Sequence, residues 1–175
     1  MKTTIRLARP DDLTQYTAMM QKTYEHAYTS DSIGLTKECF SIEVFNSKDT
    51  QDYLKSRLEN NAAQQSWMAV YNNKIIGGVV AKDSAGECEM TGFYVLPKFQ
   101  GVGLGKRLWQ KVLNFAGDKD IVLDIYTHNK KAIEMYKKWG FTEDKNRARF
   151  YRHWLEWPEG VRAESLYMRR SGVQP

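Results

Sequence analysis

Glycine stands at every second position in Gly101-Val102-Gly103-Leu104-Gly105, between a strand-like run and a helical one. Met90 to Leu96 is rich in aromatic and aliphatic residues, the kind that suit a pleated, half-buried surface. Pro97 stops that ladder, because it has no N–H to give and fixes its own φ. Beyond the glycines, Leu104, Leu108, Val112 and Phe115 recur at helical spacing. A strand–glycine loop–helix unit leaves backbone N–H groups unpaired at the helix N-terminus, where partial positive charge favours an anion. Glycines let a phosphate approach with no Cβ in the way. The chemistry expected is an anion site for phosphate or pyrophosphate. Two nucleotide motifs fail to match. A P-loop needs glycine where Gln100 stands and a hydroxyl where Arg107 stands, and a Rossmann fingerprint needs glycine in place of Lys106.

What Gln100-Gly101-Val102-Gly103-Leu104-Gly105 does resemble is the Gln/Arg-x-x-Gly-x-Gly/Ala signature of the GNAT superfamily of N-acetyltransferases, which use acetyl-CoA. A second block, Asn129-Lys130-Lys131-Ala132-Ile133-Glu134-Met135-Tyr136-Lys137-Lys138-Trp139-Gly140-Phe141, is similar to the family's Asn-x-x-Ala-x-x-x-Tyr-x-x-x-Gly-Phe. It begins 29 residues after Gln100 and follows a strand-like Ile121 to Tyr126, in the family's order. The likeness is good over residues 66 to 142 and holds in outline beyond them.

The resemblance implies that the N–H groups of Gly101, Val102, Gly103, Leu104, Gly105 and Lys106 bind the pyrophosphate of coenzyme A, with Gln100 heading the loop. It implies that the pantetheine arm pairs with the edge of the central strand at Phe93, Tyr94 and Val95, where the middle strands splay, and that Asn129 contacts that arm. Asn129 also suits a helix N-cap. Lys106 and Arg107 could add charge to the phosphate site or be ordinary exposed cations. Tyr136 corresponds to the tyrosine that protonates the leaving thiolate; its other reading is an amphipathic core tyrosine. Glu89 takes the place where family members carry a base. A carboxylate at the inner end of a strand is partly desolvated, a condition under which it becomes a stronger base. Glu87 is its rival. Cys88 as an acyl carrier lacks a local histidine to activate it. The acceptor pocket implied by the family draws on the first helices and the last hairpin. Glu25 and Asp31 could there recognise a cation, walled by Tyr24, Tyr28, Trp154 and Trp157, although these aromatics equally suit a core or a dimer contact.

Composition bounds the remaining possibilities. A chain of 175 residues suits one domain spanning 1–175, with about two thirds of its unfolded surface buried. No run of 18 apolar residues exists, and Met1 to Arg6 carries charge without a continuous apolar stretch. Two cysteines are too few for a disulfide framework, so a cytoplasmic protein with reduced thiols is expected. The histidines at 26, 128 and 153 show no metal-ligand spacing, and no metal is expected. Net charge is +5, and Lys145 to Pro175 holds seven Lys/Arg against three acids. That basic tail could face nucleic acid, but acids interleave with it and no reading motif accompanies it, so a solvated hairpin is expected instead.

The elements that must position these groups read β-α-α-β-β-β-α-β-α-β-β. Thr3 to Ala8 alternates as a strand, and Pro10-Asp11-Asp12 starts a helix. A second helix runs from Ser47 or Thr50 to Glu59. Ser66–Tyr71 and Ile75–Ala81 form a hairpin about Asn72-Asn73, and Glu87–Leu96 is the central strand. Ile121–Tyr126, the helix Asn129–Lys138 stopped by Gly140, and strands at Phe150–Arg152 and Leu166–Met168 complete the order. The fold class is α/β: a mixed, strongly twisted sheet of about seven strands flanked by about four helices. It is also the acyl-CoA N-acyltransferase fold that the resemblance implies. The function expected is acetyl transfer from acetyl-CoA to a primary amine of a small molecule, in a ternary complex, by a monomer or homodimer. The chain's look is similar to small bacterial acetyltransferases that include polyamine-modifying members. A protein N-terminus or lysine is the alternative acceptor. A non-catalytic coenzyme A sensor is the other reading, against which Glu89 and Tyr136 both argue.

Overall fold

The computed structural model describes residues 2–172. Asn72 and Asn73, both at positive φ, make the tight turn whose twist matches the flanking strands, and so β2 (Gln64–Tyr71) and β3 (Lys74–Ser84) pair antiparallel. β1 (Thr4–Leu7) adds to one side of this hairpin, and β4 (Glu87–Val95) to the other. β4 then pairs parallel with β5 (Ile121–Tyr126), which needs a crossover, supplied by α4 (Leu104–Ala116). β8 (Ala163–Arg170) lies antiparallel beside β5 and carries both β6 (Thr142–Glu143) and β7 (Phe150–Arg152). The sheet order is β1-β2-β3-β4-β5-β8-β6, with β7 on β8.

Helices cover both faces. α4 and α5 (Lys130–Lys138) bury Leu104, Leu108, Val112, Ile133 and Tyr136 against one face, with Phe141 beneath them. On the other face lie α1 (Leu13–Tyr28), α2 (Ile42–Phe45) and α3 (Lys48–Ser56), with Tyr16, Met20, Phe40, Phe45 and Leu54 inside. The mixed α/β architecture agrees with the expectation in kind and exceeds it in count: eight strands and five α-helices are formed among the described residues. The two-residue β6 and the four-residue α2 are too short to show a period, which is why neither is legible in the sequence. The last strand runs 163–170 rather than 166–168 because β5 pairs with residues 165–170 and β7 with residues 163–165.

The basic tail is drawn into this frame by ion pairs. Arg147 and Arg169 both bind Glu87 and Asp144, Arg169 adds Asp120, and Arg149 bridges Glu143 and Glu164. Among the described residues no helix is long and apolar enough to cross a membrane.

Candidate active site

The middle of β4 departs from a regular ladder, and the site follows from that departure. Val80 faces Thr91 across β3–β4, yet Gly78 faces Tyr94, so β4 holds one residue too many between them. Gly92 takes this bulge at φ +59°, a conformation that costs any residue with a Cβ. One extra residue exchanges the two faces. Cys88 and Met90 point to the α4–α5 side, whereas beyond the bulge Phe93 and Val95 do so and Tyr94 points to α1. Glu89 and Thr91 thereby share the α1–α3 side with Tyr94.

The bulge also parts β4 from β5. The two strands pair only at Cys88–Ile121 and Glu89–Val122 and then diverge. Leu96 N–H donates to Ile76 on β3 at 2.9 Å, so alternation turns the backbone groups of Phe93 and Val95 towards the opening. Val95 C=O accepts from Gln100 Nε2 at 3.0 Å, which ties the loop to the end of the strand. In the loop itself, the N–H groups of Gly101 through Lys106 meet no acceptor among the described residues. Gly101 and Gly103 sit at φ +79° and +81°, a backbone that turns successive N–H groups the same way. Six free donors at the start of α4 fit a pyrophosphate, and the gap between β4 and β5 fits an extended pantetheine arm.

A cavity of about 1550 Å3 joins these features. Gln100, Gly101, Gly105, Phe93 and Val95 line it on the loop side, and Tyr94 lines it from the α1 side. Val102, Gly103, Leu104 and Lys106 do not: Val102 is 60% exposed, Leu104 is buried in the core, and Gly103 and Lys106 face solvent. What these four offer an anion is their backbone N–H groups. Arg107 is turned away and donates to Thr3.

Asn129 caps α5, its Oδ1 accepting from Ala132 N–H at 3.3 Å, and also lines the cavity. Tyr136, two turns on, lines it too, and its hydroxyl makes no hydrogen bond among the described residues. The ring is clamped by Phe93 at 6.4 Å, Trp139 at 6.0 Å and Phe141 at 5.5 Å. Burial drives the Tyr136 phenol far above its ordinary value, with the charges of Tyr28 and Asp124 adding to the effect. It holds its proton throughout the neutral range. Glu89 lines the same cavity from β4 and has no ion-pair partner among the described residues. Glu87, its rival, is bound to Arg147 and Arg169 outside the cavity. Burial opposes ionisation of Glu87, but the bonds from Arg169 and Arg147 outweigh it and hold the carboxylate below its usual range. Cys88 is fully buried and pushed up to about 11, so it carries no thiolate at neutral pH.

Another part of the cavity wall is aromatic. Tyr24 packs against Tyr28 at 4.9 Å, Tyr94 at 5.1 Å, Phe45 at 5.3 Å and Trp154 at 5.5 Å, and the Tyr28 and Tyr94 hydroxyls share a 2.8 Å hydrogen bond. Trp154 stacks on Trp157, whose indole N–H donates to Cys39 C=O at 3.1 Å. Tyr24, Tyr28 and Trp154 line the cavity; Trp157 is buried behind them. Glu25 and Asp31 correct the expectation. Glu25 faces outward to Gln21 and Lys37, Asp31 is exposed in the turn after α1, and neither reaches the cavity. Position 25 is one residue past Tyr24, about 100° round the helix, which is enough to leave the wall. In their place stand Tyr53 and Arg57 of the α3 region, and Arg152 paired with Asp124 at 2.8 Å. Helical spacing marks Tyr53 and Arg57 only as helix-face residues. No local signal assigns them to a site.

A model of the acetyltransferase (GNAT) family matches residues 20–141, most of the chain. The chain belongs to that family. Its members are acetyl-CoA-dependent acetyltransferases, which agrees with the free loop donors and the opened β4–β5 edge. Over 66 residues it is 36% identical to the N-alpha-acetyltransferase RimI of Mycobacterium tuberculosis, a match covering 38% of this chain and 42% of that one. The chain spans less than half the length of the curated relatives it matches. The PaiA N-acetyltransferase of Thermoplasma acidophilum in complex with coenzyme A superposes with a TM-score of 0.73 at 18% identity, over 98% of this chain and 99% of that one. A Salmonella typhimurium protein, yncA, with acetyl-CoA as its cofactor, superposes at 0.65 and 18% identity, over 100% and 96%. At such identities the likeness is one of fold. Among the described residues no three His, Cys, Asp or Glu side chains come together as a metal site.

Proposed function

We propose that this GNAT-family chain transfers the acetyl group of acetyl-CoA to the primary amine of a small molecule, by direct attack in a ternary complex. One observation carries the reading: Gly101 and Gly105 of the free N–H loop, the unpaired β4 edge, Glu89, Tyr136 and the aromatic basin line a single cavity. Gly101 to Lys106 hold the pyrophosphate through backbone donors. Glu89, directly or through a water, takes the proton that the amine must lose. The amine nitrogen bonds to the thioester carbon, and backbone N–H groups beside the bulge meet the oxyanion. The C–S bond then breaks, and Tyr136 gives its proton to the departing sulfur. The basin of Tyr24, Tyr28 and Trp154 takes the acceptor's apolar part. The second reading, acetylation of a protein N-terminus, is favoured by the likeness to an N-alpha-acetyltransferase.

A free-thiol release assay across polyamines, amino acids, aminoglycosides and short peptides separates the two. Turnover of a small amine with none for peptides supports the first; turnover of peptides alone replaces it with the second. In parallel, acetyl-CoA raises the melting temperature while ATP and NAD do not. Equal shifts from all three refute the cofactor assignment.

A further inference from the structure

Arg57 follows α3 at its C-cap and is 6% exposed. Its guanidinium lies under the β4 bulge: a Cβ built on Gly92 would stand 2.7 Å from Nη2 and 3.3 Å from the Tyr16 hydroxyl. Nη1 donates to the Tyr53 hydroxyl, and the guanidinium carbon is 4.9 Å from the centre of the Tyr53 ring. Nε and Nη2 are buried with no well-aligned acceptor, and the neutral Tyr16 hydroxyl lies beside them. Arg6, Arg147, Arg149, Arg152 and Arg169 each have a carboxylate partner, whereas Arg57 has none among the described residues. A buried cation with no counter-charge is expensive to keep. Nε–H and Nη2–H, moreover, form one edge of the guanidinium, the edge that engages both oxygens of a carboxylate.

Arg57 and Tyr53 both line the cavity on the side of β4 that carries Glu89. We propose that Arg57 is a specificity-determining residue of the acceptor site, and that the acceptor is an amine bearing a carboxylate, an amino acid rather than a polyamine. This rests on the acetyl-transfer reading. Tyr53, 50% exposed, is the hinged cover: the carboxylate displaces its hydroxyl from Nη1 and turns the guanidinium edge into the cavity, while the amine end lies towards Glu89. A diamine would instead bring a second cation against a buried one.

The test uses the full chain saturated with coenzyme A and calorimetric titration of β-alanine, γ-aminobutyrate and alanine, each against its carboxamide, with putrescine as the dication. Thiol release from acetyl-CoA is followed with the same acceptors. The wild type is expected to favour at least one carboxylate over its amide by about tenfold or more, mainly in Kd and KM. Arg57→Met abolishes that preference while the melting shift given by coenzyme A persists, and Arg57→Lys, charged but without the fork, keeps part of it. Amides or putrescine binding as well as every amino acid, or no amino acid binding at all, overturns the proposal. So does an Arg57→Met protein that keeps the preference. Should Arg57→Met not fold, the wild-type comparison and Arg57→Lys still decide. Absence of thiol release with every acceptor counts against acetyl transfer, and the titrations then judge Arg57 separately.

Discussion

Replacing Tyr136 by Phe separates chemistry from stability because of where the hydroxyl sits. The ring is packed on three sides by Phe93, Trp139 and Phe141, and Phe preserves that packing. The hydroxyl has no hydrogen-bond partner among the described residues, so removing it strands no donor or acceptor. The expected change in stability is within about 1 kcal/mol, or roughly 2–4 °C in Tm for a chain of this size. Loss of a positioned general acid is a larger effect: roughly 10²- to 10⁴-fold in kcat, or about 3 to 5 kcal/mol in barrier height. Burial holds the phenol far above its ordinary value, so Tyr136 stays protonated and adds no basic limb to the wild-type profile through the neutral range. The assay is thiol release at saturating acceptor, with Tm and acetyl-CoA affinity measured on the same preparations. Turnover within threefold of wild type removes Tyr136 from the reaction. A large fall in Tm with kcat intact would make it a core tyrosine.

Two further substitutions test the frame around the site. Gly92→Ala places a Cβ at positive φ, which costs roughly 1–2 kcal/mol, and forces the buried Arg57 Nη2 to move from 2.7 Å; a fall of roughly 4–10 °C in Tm is expected, and an unchanged Tm would mean that the bulge is not strained. Arg169→Met leaves Glu87, Asp120 and Asp144 without their shared partner and is expected to cost roughly 1–3 kcal/mol, discounted because the cation is partly exposed. Its pH dependence follows from two depressed carboxylates. In Glu87 the Arg169 and Arg147 bonds overcome burial, and in Asp120 the Gly172 N–H and Arg169 act together. Stability from a depressed carboxylate is present above its unfolded pKa, about 4, and is lost as pH falls through the lower folded value. The variant therefore loses less stability than the wild type between neutral pH and about pH 3, and equal losses in urea titrations would refute the network's role.

Much of this protein is written locally. The glycine alternation after Pro97, the period of Leu104, Leu108 and Val112, the Asn72-Asn73 turn and the Asn129 cap depend on neighbours a few residues away, where backbone sterics and hydrogen bonding act directly. They carried the mixed fold, the donor-rich glycine loop and the place of Tyr136 on the cavity wall. Gly92 within a strand pattern is a local signal that a bulge can follow, but the run from Met90 to Leu96 otherwise reads as an unbroken strand. What the bulge does, however, depends on β3 and β5 together, since a one-residue excess matters only against a partner strand. The aromatic part of the cavity is less legible still. Glu25 and Tyr24 are adjacent in the chain, yet the packing of α1 sends one to solvent and the other into the basin. Arg57 reads as a helix-face cation, because nothing within ten residues of it announces Gly92 or Tyr16. Short-range physics specified the elements and the glycine loop; the burial of a guanidinium beneath a strand thirty-five positions away was decided only when the sheet closed over it.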